Sequence, residues 1–236
     1  VGAVLSDGWF RGQNGFTREH DCFGSQLALP VQVVVELADG ERVVVGTGPG
    51  WRSTTGEIVR ADLIEGEAVD LRRRQDGWST ADFAGADAWA PCEVRDDLGV
   101  DTLTTSPAPP VRRTEELRPV SVTRVGDGTE AVDVVDLGQN INGWVRLRSL
   151  GPAGATTTLT HGEMLDEAGR VTLDHLVPFD FMKQAALSPG QVDEVVSRGE
   201  PDDTFEPRHT THGFQYVQVD GHEAPLAADD VTGVVV

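Results

Sequence analysis

A histidine and three carboxylates crowd one short stretch of this 236-residue sequence. His161 stands two residues before Glu163, and Asp166 and Glu167 follow closely. Residues two apart on a strand face the same side, so His161 and Glu163 could hold a metal or exchange protons. The Asp-Glu-Ala-Gly that follows is typical of an ordinary turn, in which Glu163 accepts backbone or arginine hydrogen bonds. We therefore interpret this stretch as structural.

A second histidine pair, His209 and His212, lies near the carboxyl end. Residues three apart on a strand point to opposite faces, so the two rings are not expected to share an ion. Cys22 and Cys92 form no CxxC pair and are expected to be free thiols. The sequence thus predicts no metal site and no cofactor.

Other common catalytic patterns are missing from the sequence. It has no GxSxG nucleophile elbow, and no GxxxxGK precedes Lys183, its single lysine. Abundant Asp and Glu always permit a pair spaced for glycoside hydrolysis, so their number carries no information about such a pair. We predict no catalytic residue.

The charge and hydropathy of the chain exclude two classes of partner. Asp and Glu number 39 against 19 Lys and Arg, which gives a formal net charge of −20 and disfavours nucleic acid. Apolar runs stop far short of the ~20 residues that a membrane span needs. We expect a soluble protein, cytoplasmic or secreted. The first residues lack an initiator Met and the basic head of a signal peptide, and we expect the chain to be part of a longer protein.

Carbohydrate binding is the most specific chemistry that the residues alone suggest. The chain has five tryptophans and one tyrosine, and an exposed indole is a good platform for a sugar ring. In residues 7–15, glycines surround an aromatic residue and several side chains that can hydrogen-bond hydroxyls. We predict a carbohydrate-binding role for Asp7, Trp9, Arg11 and Asn14. A buried tryptophan at a β-bulge is the alternative for Trp9.

Hydrophobic alternation with period two predicts an all-β fold with short connections. Residues 28–37 and 42–45 flank Asp39-Gly40 as a hairpin, and further strands are predicted at 120–125, 131–137, 144–150, 155–160 and 214–219. Short helices are expected near residues 163–168 and 178–187. The proline-rich segment 104–110 predicts a boundary between two consecutive β-sandwich domains, 1–104 and 105–236. Trp144 opens an alternating strand and is expected to be largely buried.

Several longer motifs resemble the bacterial α-L-rhamnosidases. Residues 7–12, 23–29, 51–58 and 66–72 are similar to the later half of that family's amino-terminal jelly-roll domain. Residues 110–120, 135–147, 160–166 and 205–217 are similar to the concanavalin-like sandwich that follows it. Two positions depart from the family pattern: His209 replaces an aromatic residue and Gln215 an arginine.

This resemblance implies a non-catalytic role for the chain. The family's catalytic carboxylates belong to an (α/α)₆ barrel downstream of these sandwiches, so none is carried over. Some relatives bind rhamnose and calcium through the jelly roll, but the resemblance assigns no calcium ligand here. We expect a β-sandwich portion that braces the barrel of its parent chain and assists in presenting rhamnosylated glycosides. The abrupt start also predicts that the first domain is completed by a second copy of the chain, by a strand-completing fragment, or by residues of the second sandwich.

Two rival functions remain open at this point. One is a lectin-like module that binds rhamnose or a plant polysaccharide through a tryptophan platform. The other is an autonomous glycosidase that uses carboxylates within a sandwich cleft.

Overall fold

The structure is a computed structural model that describes residues 1–95, 104–182 and 184–236. Lys183, the single lysine, lies outside these residues. Strands dominate the described part. In chain order they are β1 (Gln32–Glu36), β2 (Arg42–Gly46), β3 (Arg52–Ser53), β4 (Ile58–Asp62), β5 (Gly66–Asp70), β6 (Ala90–Pro91), β7 (Glu115–Leu117), β8 (Ser121–Val125), β9 (Val132–Arg148), β10 (Thr156–Gly162), β11 (Met164–Leu165), β12 (Val171–Thr172), β13 (Phe179–Asp180), β14 (Ala185–Ala186), β15 (Val192–Val196), β16 (Thr204–Phe205), β17 (His212–Asp220) and β18 (Val231–Val235).

Helices are few and short in the described part of the chain. The longest α-helix there is α1 (Gly8–Arg11), a single turn. The 3₁₀ helices are Leu71–Arg73, Ala84–Ala88, Gly128–Glu130, Asp174–Leu176 and Ala228–Asp230. The predicted all-β fold class is confirmed. No helix among the described residues is long and apolar enough to cross a membrane.

The chain divides into two compact units built from interleaved segments. The first unit comprises Val1–Leu5, Gln26–Gly56 and Gln75–Pro110, and the second comprises Ser6–Ser25, Glu57–Arg74 and Val111–Val236. The sequence boundary at residue 104 stays a prediction.

The predicted hairpin forms in the first unit. β1 and β2 pair antiparallel, with Val33 opposite Val45, and Gly40 adopts a φ of +86° in the connecting turn. A glycine tolerates this left-handed conformation without a Cβ clash. In the same unit β3 pairs with β6. The Trp51 indole donates to the Gly46 carbonyl at 3.0 Å.

The second unit holds a large sheet and the main hydrophobic core. The strands pair in the order β4-β5-β15-β10-β17-β9-β18-β7, and β8 and β16 also pair with β9. β9 is long enough to serve two groups of strands, because its first half pairs with β8 and its second half with β18. Alternate side chains of β9, such as Val145 and Leu147, are fully buried. They pack in one core cluster with Leu159, Phe205 and Phe214.

The two predicted helices near residues 163–168 and 178–187 are wrong. The first region forms the hairpin β11–β12, since Asp166 Oδ1 accepts the Ala168 and Arg170 N–H groups and closes the turn. Aspartate side chains favour such turns over helix interiors because they compete for backbone donors. The second region forms β13 and β14, which pair antiparallel.

The expectation that Trp144 is largely buried is also corrected. Val145, not Trp144, points into the core, and Trp144 lies half-buried on the opposite face of β9. Its indole donates to Glu206 Oε1 at 2.9 Å. The reason is alternation: Trp144 shares its face of β9 with Arg146 and Arg148, whereas Val145 and Leu147 share the face that packs in the core.

Candidate functional site

Three neighbouring strands bring His161, Asp193 and His212 together inside the second unit. His161 lies near the end of β10, Asp193 in β15 and His212 at the start of β17, and β10 pairs with both other strands. All three side chains are buried, and one ligand atom from each lies within 4.8 Å of the others. The imidazole rings stack with centroids 4.2 Å apart, and the edge of Phe214 contacts His161.

Gln191 orients both imidazoles. Its backbone carbonyl lies 3.1 Å from His161 Nδ1, and its side-chain Oε1 lies 2.8 Å from His212 Nδ1. The Gln191 amide nitrogen donates to the Gly213 carbonyl, which directs Oε1 toward His212. Because a carbonyl oxygen only accepts, each Nδ1 carries a proton and each Nε2 is turned toward Asp193.

The charges of this buried group follow from the hydrogen bonds. His212 Nε2 lies 3.1 Å from Asp193 Oδ2, so this imidazole contacts both Gln191 and the buried carboxylate. Burial alone would raise the pKa of Asp193, but the hydrogen bond and charge of His212 outweigh it and lower that pKa. Burial, together with the charge of His212, lowers the pKa of His161 to about 3, so His161 is neutral.

A second buried carboxylate, Glu67, adjoins this group. Its backbone N–H donates to Asp193 Oδ1 at 2.8 Å. Its side-chain Oε2 accepts from the backbone of Arg208 and His209 and lies 3.0 Å from His209 Nδ1. His209 and His212 therefore contact different carboxylates. At position 209, where the family pattern has an aromatic residue, this chain has a histidine whose imidazole contacts Glu67.

The predicted carbohydrate-binding residues all lie in the Ser6–Ser25 segment of the second unit. Arg11 pairs with Asp7 at 2.7 Å across the single turn of α1, and Trp9 is 52% exposed. Asn14 forms an isolated β-bridge with Glu19. The structure thus places these residues on one short segment, and their role in sugar binding stays a prediction.

Glu163 is separated from His161 despite the spacing of two. Glu163 is exposed and accepts from Asn140 at 2.6 Å, with His175 Nε2 3.7 Å away. The two side chains do not form a joint site among the described residues, and the structural interpretation of this stretch stays a prediction.

A charged cleft of about 350 Å³ also lies in the second unit. Arginines and carboxylates share its lining with the core residues Val69 and Phe205. At its rim Glu206 accepts from Trp144 and Arg146 and pairs with Arg113 at 2.9 Å.

Sequence reasoning paired the histidines with the wrong partners. His161 and His212 were weighed against neighbours in the chain, whereas the strand pairing joins them through Asp193, which no motif singled out. Spacing within one strand cannot reveal residues that meet across strands. A polar residue at an inward position in each of three strands could have indicated the site. Recognising it also requires knowing that these three strands are neighbours in the sheet.

Comparison with known proteins matches both parts of the chain to one family. Residues 1–115 match the α-L-rhamnosidase N-terminal domain, and residues 127–236 match the bacterial α-L-rhamnosidase concanavalin-like domain. An α-L-rhamnosidase of Streptomyces avermitilis is 36% identical over 235 residues, which are 100% of this chain and 21% of the relative. One of Formosa agariphila is 24% identical over 241 residues, covering 100% of this chain and 24% of the relative.

Solved structures show the same similarity. The S. avermitilis α-L-rhamnosidase complexed with L-rhamnose aligns with a TM-score of 0.84 at 35% identity, over 97% of this chain and 21% of that one. The Aspergillus terreus α-L-rhamnosidase aligns with a TM-score of 0.79 at 32% identity, over 97% and 25%. This chain therefore spans about a fifth to a quarter of its relatives' length. It belongs to the bacterial α-L-rhamnosidase family, with the N-terminal domain in residues 1–115 and the concanavalin-like domain in residues 127–236.

Proposed function

We propose that this chain is the non-catalytic β-sandwich portion of an α-L-rhamnosidase, a glycosidase that removes terminal α-L-rhamnose from glycosides. The observation that carries this proposal is that the chain matches the family's N-terminal and concanavalin-like domains and spans only about a fifth to a quarter of its relatives. Among the described residues the longest α-helix has four residues, so none of them forms part of a helical barrel. The chain then supplies a scaffold, and the hydrolytic carboxylates belong to another part of the parent protein.

The proposed partners follow from that role. The relatives are four to five times longer than this chain, and a catalytic barrel in the parent chain is the first partner. Rhamnosylated glycosides are the second, since the sandwich would help to present them. The test is turnover: the 236-residue chain alone is expected not to hydrolyse an aryl α-L-rhamnoside.

A second candidate function is lectin-like binding of rhamnose. The observation in its favour is Trp9, a residue that is 52% exposed. An exposed indole offers a platform for one apolar sugar face. Titration calorimetry with L-rhamnose tests this. Binding that is lost in Trp9→Ala, and kept when the similarly exposed Phe179 is changed to Ala, supports a module. No binding by the wild-type chain rejects it.

The hairpin of the first unit supports a further partner. Val34, Val35, Val43, Val44 and Val45 are 40–54% exposed, although they are strand residues on both faces of β1–β2. Exposed apolar strands are typical of contact surfaces. We propose that a second copy of the chain or a strand-completing fragment covers them. Light scattering after size exclusion, with mass spectrometry for bound peptide, tests this; a peptide-free monomer of 25.3 kDa contradicts it.

A further inference from the structure

We propose that His161, Asp193 and His212 bind a divalent transition-metal ion of the zinc class in the interior of the second unit. Two imidazoles and one carboxylate are a common ligand set for such ions. The three residues come from β10, β15 and β17, whose pairing fixes their positions. All are fully buried, with side-chain exposures of 0% for His161 and Asp193.

Both imidazoles are oriented as metal ligands are. A histidine that ligates a metal through Nε2 donates its Nδ1 proton to a carbonyl, a carboxylate or water. Both histidines have this arrangement, because Gln191 offers its backbone oxygen to His161 and its side-chain oxygen to His212. One residue thus leaves both Nε2 atoms facing the same carboxylate.

One ring nitrogen of His161 has no hydrogen-bond partner among the described residues. That nitrogen is Nε2, which is completely buried. With its proton on Nδ1, this Nε2 carries a lone pair, and a buried lone pair without a partner is costly. A cation between Nε2 and Asp193 would satisfy it.

The distances suit a shared ion after a small movement. Asp193 Oδ2 lies 3.9 Å from His161 Nε2 and 3.1 Å from His212 Nε2. Two ligand atoms that each lie ~2.0–2.1 Å from a tetrahedral zinc ion are separated by about 3.4 Å, so the His212 pair needs little change and the His161 pair must close by about 0.5 Å. Binding displaces the proton that lies between His212 and Asp193, and this proton leaves with solvent.

The ring stack sets one structural requirement. The imidazole planes are only 19° apart, and the lone pair of a ring nitrogen lies in its ring plane. Two nearly parallel lone pairs do not meet at one ion, so the rings must rotate apart as the ion binds. Because the ligands are fully buried, loading is best done during refolding.

The test is metal retention by the whole 236-residue chain after refolding. The chain is unfolded with a chelator, desalted, refolded with Zn²⁺ or Co²⁺, and desalted again before elemental analysis. We expect about one ion per chain, visible d–d absorption for Co²⁺ in a nitrogen and oxygen ligand field, and a higher melting temperature than after refolding with chelator.

Variants locate the site. His161→Gln is expected to abolish retention, and Gln191→Ala to weaken Zn²⁺ affinity by about 10- to 100-fold, because it removes the acceptor of His212 Nδ1. The matched control is His175→Gln, a partly exposed histidine that faces Glu163 and should retain the ion.

Two results overturn the proposal. One is a wild-type chain that regains its native circular dichroism but retains no ion. The other is retention that survives in His161→Gln or is lost in His175→Gln. If His161→Gln does not fold, the affinity of Gln191→Ala decides: an affinity equal to that of the wild type also overturns the proposal.

Discussion

At the scale of single residues, Glu206 links two side chains of β9 to Arg113 at the cleft. It accepts from the Trp144 indole and from Arg146 Nε at 2.9 and 2.8 Å, and it pairs with Arg113. Burial would raise the pKa of Glu206, but the hydrogen bonds from Arg146 and Trp144 and the nearby arginine charges lower it instead. Its side chain is only 18% exposed, so solvent screens these contacts weakly.

Glu206→Gln is therefore expected to lower the free energy of unfolding by about 1–2 kcal/mol at neutral pH, because one charged acceptor serves three donors. The control is Glu116→Gln, which also faces Arg146 but is 53% exposed and should cost less. Because the folded pKa is depressed, the wild-type advantage is present above the unfolded value near 4.5 and is lost as pH falls through the folded pKa. Urea unfolding of the wild type and the variant, at neutral pH and at a pH below the folded pKa of Glu206, measures the difference in their free energies of unfolding. A difference that grows in acid contradicts this account.

His222 gives a second dependence on pH. Its Nε2 lies 3.2 Å from Thr157 Oγ1. Burial is the largest influence and lowers the pKa of His222, and Arg124 acts in the same direction, while Asp133 and Asp230 oppose it. The unfolded chain then binds the proton more readily than the folded one, so stability falls as pH drops below about 6.5.

We expect His222→Gln to lose less stability than the wild type between pH values of about 7.5 and about 5.5. Urea denaturation of both proteins at the two pH values checks this, with His20→Gln as an exposed control. A variant as sensitive to acid as the wild type would show that His222 does not titrate in this window.

At the scale of elements, β9 and β18 approach closely at Gly143. A Cβ added there would lie 1.8 Å from the Val234 carbonyl oxygen, a contact that only movement of the strand backbone can relieve. Gly213 stands on the adjacent strand β17, opposite Asn142, and a Cβ there would meet nothing within 4 Å. The two glycines form a matched pair.

Gly143→Ala is expected to destabilise the chain by about 1–3 kcal/mol, as overpacked sites do. Gly213→Ala should be neutral or slightly stabilising, because it lowers the entropy of the unfolded chain. Thermal denaturation of both variants tests this. Equal melting temperatures would mean that β9 and β18 are not in close contact at Gly143.

The sequence predicted an element correctly when the residues that determine it lie close together in the chain. The β1–β2 hairpin was predicted because alternation and Asp39-Gly40 lie within one short segment. β9 was predicted as two strands, since Gly138, with a φ of +77°, suggests a turn, yet pairing with β17 carries the strand past it. The orientation of Trp144 was wrong for another reason, because Trp144 alternates with the core residues Val145 and Leu147. The buried site was missed because its residues meet only across strands.

At the scale of the whole molecule, the chain is interleaved in a way that composition cannot show. β5 pairs in parallel with β15, so that Ala68 lies opposite Glu194. This contact draws Glu57–Arg74 into the second unit, away from its neighbours in sequence. The family and the all-β class were predictable from motifs and alternation, whereas contacts between distant segments depend on tertiary packing.

We predict that the β-sandwich domains of this chain do not hydrolyse rhamnosides on their own. The most direct measurement is incubation of the purified 236-residue chain with a chromogenic aryl α-L-rhamnoside, beside a heat-denatured sample and an intact α-L-rhamnosidase as positive control. We predict no release of chromophore above the denatured sample, because the described residues contain no helical barrel. Release that is abolished by changing one Asp or Glu of this chain would contradict the claim.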